Sequence, residues 1–121
     1  MSQSAQRRVL FCIGVNQNFF DASAAEAKQV WAAFGVMMKG MEETPGITVI
    51  GNMDDDQLMV GPSTTAPWTT YVLADAQALE NVAAVCNLFR TTPVGDGGST
   101  LRKYCKIAAR VGRELIIQGL G

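Results

Sequence analysis

Histidine is missing from all 121 residues of this chain. Without an imidazole it cannot assemble a Ser-His or Cys-His nucleophile, a histidine-held haem or the common zinc sites, and that absence removes more enzyme classes than any motif adds. Cysteine is scarce. Cys12, Cys86 and Cys105 are odd in number, far apart and set in apolar segments without metal-ligand spacing, so reduced buried thiols are expected. Charge of either sign is modest: 10 basic against 11 acidic side chains leave a formal −1, which argues against a basic nucleic-acid-binding surface. No run of about 18 apolar residues is available to span a bilayer. Met1 to Arg8 lacks the apolar stretch and small-residue cleavage site of a signal peptide, so a cytoplasmic protein is expected, without a membrane partner.

What is present is 48% hydrophobic sequence in a length suited to one domain, residues 1–121, with 1–7 as a flexible start. Arg8 to Val15 alternates, with Val9, Phe11, Ile13 and Val15 on one side, and reads as a first strand. Ser23 followed by Glu26 is a capping box, placing a helix start near Ala24. Its apolar stripe runs through Ala27, Val30, Trp31, Phe34, Met37, Met38 and Met41, which places Trp31 in the core, and the helix stops before Pro45 and Gly46. Ile47 to Met53 reads as a second strand that resumes at Leu58 to Val60 after Asp54, Asp55 and Asp56. Gly61 to Pro67 is a turn-rich loop, and Trp68 to Ala74 a third strand. Asp75 is the expected N-cap of a second helix with the stripe Leu79, Val82, Ala83, Cys86 and Phe89. Pro93, Gly95, Gly97 and Gly98 form a flexible connection into a last strand, Leu101 to Val111.

The order strand, helix, strand, strand, helix, strand is the split βαβ arrangement: an α+β, ferredoxin-like βαββαβ domain with a four-stranded antiparallel sheet and both helices on one face. The uncovered face would then carry Leu10, Cys12 and Tyr104, too apolar to leave in water. Homodimerisation through the sheets, closing an α+β barrel, is the expected solution.

The last strand has two chemically different faces under period-two alternation. Leu101, Cys105, Ile107, Ala109 and Val111 form an apolar face; Arg102, Tyr104, Lys106 and Arg110 form a cationic one. That second face is either a pocket for a small acid, with an arginine gripping a carboxylate and Tyr104 offering a hydrogen bond, or a solvated or salt-bridged surface. The Asp54, Asp55, Asp56 run lacks calcium-loop spacing and suits a solvated turn, with Asp54 the candidate general base if it reaches a pocket mouth. Trp68 and Tyr71 either wall a ring site or pack an interface. Asn16 and Asn52 are neutral amides that either orient a ligand or serve local structure. No metal site is expected, since no cysteine pair has metal-ligand spacing and histidine is absent, and no cofactor is expected: Gly95, Gly97 and Gly98 are not a nucleotide fingerprint, because they precede a strand and not a helix N-terminus.

Three stretches carry a family resemblance: VLFCIGVNQNFFD (Val9 to Asp21), MDDDQLMVGP (Met53 to Pro62) with PWTTY (Pro67 to Tyr71), and CNLFRTTPVG (Cys86 to Gly95) before the cationic strand. On these the chain resembles the IacB-like proteins of bacterial indole-3-acetate degradation clusters, within the dimeric α+β barrel superfamily. The resemblance implies a cytoplasmic protein of aromatic catabolism that acts on or holds an oxidised indole-acetate intermediate. The superfamily includes muconolactone isomerases, cofactor-free oxygenases and haem-degrading enzymes, the last usually with an iron-bound histidine that this chain lacks.

Three classes of function follow. One is a cofactor-independent isomerase, lyase or oxygenase, with Tyr104 and a carboxylate such as Asp54 moving protons around an acid held by Arg102, Lys106 or Arg110. The second is a binding module that assists a partner enzyme, a catabolic oxygenase or reductase, without chemistry of its own. The third is a structural dimer whose barrel is filled by its own side chains.

Overall fold

The computed structural model describes residues 7–58, 60–61 and 68–115. Its first strand, β1 (Arg7–Val15), sends Val9, Phe11 and Ile13 into the core at strand spacing. Arg7 belongs to this strand and not to a flexible start. A single turn, α1 (Gln17–Phe20), leads to α2 (Ala24–Glu43). Ser23 Oγ accepts the Glu26 N–H at 3.1 Å, so the expected cap forms. The buried stripe of α2 is Val30, Ala33, Met37 and Met41. Trp31 is 63% exposed, not core: the stripe centres on Ala33, whose small side chain lets the helix lie close to the sheet and rotates Trp31 to its flank.

Strand β2 (Ile47–Asp54) pairs antiparallel with β3 (Thr70–Ala76), which pairs with β1, which pairs with β6 (Cys105–Gly112), giving the order β2-β3-β1-β6. This is the ferredoxin-like sheet. Between β3 and β6 come α3 (Leu79–Thr91) and a small ribbon of β4 (Pro93–Val94) and β5 (Ser99–Thr100), so the glycine-rich connection is a hairpin with Gly95 and Gly98 at positive φ. Val82, Val85 and Phe89 of α3 join Met37 and Met41 of α2, Val72 and Ala74 of β3 and the inner face of β1 in one core.

Several boundaries differ from expectation. Asp75 is not a helix N-cap; it lies within β3 and pairs with Arg8 across the strands, Nε to Oδ1 2.7 Å. The cap of α3 is Ala78, whose N–H donates to Asn81 Oδ1 at 2.9 Å, and Leu79 and Ala83 are exposed while Val85 takes the inner position. Trp68 precedes the third strand, and Leu58 and Val60 are in no strand. Residue 59 and most of the expected 61–67 loop lie outside the described residues.

The largest difference is at the last strand, which begins at Cys105 because Leu101–Lys103 is a 3-10 turn. In such a turn residues i and i+3 share a side. Leu101 and Tyr104 therefore both point into the core, the latter 2% exposed, and Tyr104 is not on the face of Lys106 and Arg110. Among the described residues no helix is long and apolar enough to cross a membrane.

Candidate functional site

A cleft of about 250 Å³ opens at the end of the sheet where β1 leaves and β6 enters. Its floor is Ile13 and Val15 of β1, Thr70 of β3 and Cys105 of β6; its walls are Val30, Trp31 and Phe34 of α2 and Phe19 of α1; Asp54 and Thr69 stand at its rim. The aromatic rings meet edge to face, Phe19 to Trp31 at 6.0 Å and Trp31 to Phe34 at 6.1 Å between centroids. Phe20 extends the cluster outward at 5.9 Å from Phe19 and is 68% exposed. Rings placed this way offer flat, rigid apolar contact at little entropic cost.

Asp54 reaches this cleft through a β-bulge. Val49 faces Ala74 and Gly51 faces Leu73, so Ile50 is an extra residue in β2. Beyond it the parity of the strand reverses, and Asn52 and Asp54 share the inner face with Val72 and Thr70, their register partners. A bulge that re-aims side chains beside a cleft is a recurrent device. Asn52 itself is exposed along the sheet edge, outside the cleft lining.

The cationic candidates lie elsewhere. Lys106 and Arg110 project from the outer face of β6, opposite Gly14 and Leu10 of β1. Lys106 Nζ sits 5.9 Å from the ring centroid of Trp68, and the Tyr71 hydroxyl on the same outer face bonds Asp55 Oδ2 at 3.2 Å and the Trp68 carbonyl at 3.3 Å. Burial, then the Asp55 carboxylate, raises the Tyr71 phenol above its ordinary range. Arg102 is exposed on the 3-10 turn, apart from both clusters. Asn16 serves local structure: its N–H donates to the Tyr104 carbonyl at 2.7 Å and its amide to the Arg102 carbonyl at 3.4 Å, while the Asn18 amide donates to the Lys103 carbonyl at 2.9 Å. These bonds tie α1, and with it Phe19, to the start of β6.

Tyr104 donates its hydroxyl proton to Glu26 on α2, and Lys103 Nζ lies 5.3 Å from its ring. The Glu26 bond, then burial, hold the phenol above its ordinary pKa. Of the sequence candidates, then, Asp54 lines the cleft, Lys106, Trp68 and Tyr71 meet on the outer face, and Arg102 and Tyr104 join neither. Phe19, Trp31 and Phe34 were not legible as a site. The available signals were Phe19 and Phe20 directly after a strand, and Trp31 and Phe34 three residues apart on one helix face.

A histidine-held haem does not fit this cleft. The chain has no histidine, and the soft donor in the cleft floor, Cys105, is kept a neutral thiol by burial, with its pKa pushed up to about 11.

The architecture is thus that of a ferredoxin-like α+β domain with an aromatic cleft between sheet and first long helix. No family model and no curated protein matches the sequence. Solved structures with a similar fold include a substituted chlorite dismutase from Candidatus Nitrospira defluvii, at TM-score 0.55 and 10% identity over 93% of this chain and 42% of that one. The same enzyme in complex with imidazole aligns at TM-score 0.54 and 10% identity, with the same coverage of both chains. A dimeric protein of ferredoxin-like fold from Bacteroides fragilis aligns at TM-score 0.48 and 15% identity over 91% of this chain and 97% of that one. The chain spans less than half of the chlorite dismutase chains, and likeness at this identity speaks to the fold alone.

Proposed function

We propose that this protein binds a small planar aromatic molecule in the cleft between β1, β3, β6 and α2. The observation that carries the reading is the ring wall of Phe19, Trp31 and Phe34 closed by a single carboxylate, Asp54. The cleft is smaller than the roughly 300–1,000 Å³ of drug-sized pockets, so one small ring system is the natural occupant. An indole fits the chemistry: a flat apolar bicycle with one N–H for the Asp54 carboxylate to accept. Indole-3-acetate catabolism, which the family resemblance implies, supplies molecules of this ring type.

Calorimetric titration with indole tests the reading. Saturable binding that weakens roughly tenfold in Trp31→Ala supports it. Trp31 is largely exposed, so this variant keeps the fold. Equal affinity in both proteins, or no binding, overturns it.

A second reading, conversion of the bound ring without cofactor, is favoured by the place of Asp54 at the rim of an apolar cleft, where a carboxylate can take a proton. It requires turnover of an oxidised indole that is lost in Asp54→Asn. Binding with no turnover leaves a module that hands its ligand to a partner enzyme.

The outer sheet face supports pairing with a second copy, because Leu10, Leu73 and Met53 present apolar surface between Tyr71 and Arg110. Sedimentation as a dimer, with Leu73→Lys sedimenting as a monomer, is the expected result; a monomeric wild type contradicts it.

A further inference from the structure

The electrostatics of the cleft are one-sided. All ten Lys and Arg side chains lie within the described residues, and none of them lines it. Its carboxylate is Asp54, turned inward by the bulge at Ile50. Three of its other nine described lining residues, Phe19, Trp31 and Phe34, are aromatic, and ring faces carry negative potential. A carboxylate beside three rings attracts an ammonium and repels an anion.

We infer that the cleft discriminates by charge, with Asp54 as the specificity-determining residue. It accepts a planar ring that bears a neutral N–H or a cationic side chain, and it disfavours the same ring bearing a carboxylate. The inference rests on the reading of this cleft as a ring-binding site. It reverses the acid-binding expectation drawn from the arginines, because Arg102 and Arg110 stand outside the cleft and the groups inside have the opposite sign.

Titrations with indole, tryptamine and indole-3-acetate, three probes sharing one ring, test it at low ionic strength. Tryptamine should bind roughly threefold to tenfold more tightly than indole-3-acetate, because the Asp54 carboxylate attracts the one charge and repels the other but is solvent-exposed, where water screens charge pairs. The gap should narrow as salt approaches about 1 M, where screening acts within about 3 Å. In Asp54→Asn the gap between tryptamine and indole-3-acetate should close. Asp56→Asn, outside the cleft lining, should leave the gap unchanged. Indole-3-acetate binding as tightly as tryptamine while indole binds overturns the charge selectivity and leaves the ring site standing. An undiminished gap in Asp54→Asn overturns the role of Asp54. Failure of all three probes to bind overturns the ring-site reading and this inference with it.

Discussion

The phenol of Tyr104 and the carboxylate of Glu26, 78 positions apart in sequence, share a hydrogen bond that ties the start of β6 to the first turn of α2. Glu26 occupies the third position of the capping box, where its side chain would ordinarily reach back to the N-cap backbone. Only half of that box forms. Ser23 accepts the Glu26 N–H, and the Glu26 carboxylate is given to Tyr104 instead. The bond fixes the two elements that supply Cys105 and Val30 to the cleft.

Tyr104→Phe removes the donor and keeps the ring. A hydrogen bond to a charged group contributes about 1.5–3 kcal/mol, so urea unfolding should show a loss of that order. Indole affinity should change little, because Tyr104 does not line the cleft. A variant as stable as wild type would mean that the Glu26 carboxylate finds an equivalent partner in solvent.

Burial of Cys105 sets an alkaline limit on stability. Its thiol is raised from 9.0 to about 11, so the folded state retains a proton that the unfolded chain loses. Stability from this group is fully present below pH 9 and falls as pH rises toward about 11. Tyr104, raised above its ordinary value of 10.0 by the Glu26 bond, adds a loss of the same sign at higher pH. Unfolding free energies measured from pH 8 upward should therefore fall, by on the order of 1–2 kcal/mol less in total for Cys105→Ala than for wild type. Parallel curves for the two proteins would contradict this assignment.

Gly46 is required twice over. Its φ is +81°, and a Cβ there would lie 2.5 Å from Asn81 Oδ1. Asn81 cannot simply move, since it accepts the Ala78 N–H and donates to the Pro45 carbonyl, both at 2.9 Å. Gly46→Ala should cost more than about 1 kcal/mol. In a double-mutant cycle with Asn81→Ala the two losses should be less than additive, because the second change removes the clash. Strict additivity would show that backbone strain alone is responsible.

The sequence made the fold legible where hydrophobic period and punctuation agree. Val9, Phe11 and Ile13 alternate as a strand, Ser23 and Glu26 mark a helix start, and Pro45 with Gly46 marks its end. The site was less legible because it depends on two local departures from regular geometry. A 3-10 turn at Leu101–Lys103 reassigns Tyr104 from the cationic face to the core. A bulge at Ile50 sends Asp54 inward; Gly51, weak in a strand, was its one trace in the sequence. Trp31 was misplaced for a third reason. An apolar stripe read at three- and four-residue steps is wide enough to include a flank, and burial is decided by which residue lies over the sheet, here Ala33.

The most direct test of the account is where a ring binds. Backbone amide shifts recorded by NMR on addition of indole should move at Val30, Trp31, Thr69, Thr70 and Cys105, the residues around the cleft. Shifts confined instead to Leu10, Tyr71 and Lys106 on the outer sheet face, or no saturable shifts at all, would contradict the central claim that the aromatic cleft is the ligand site.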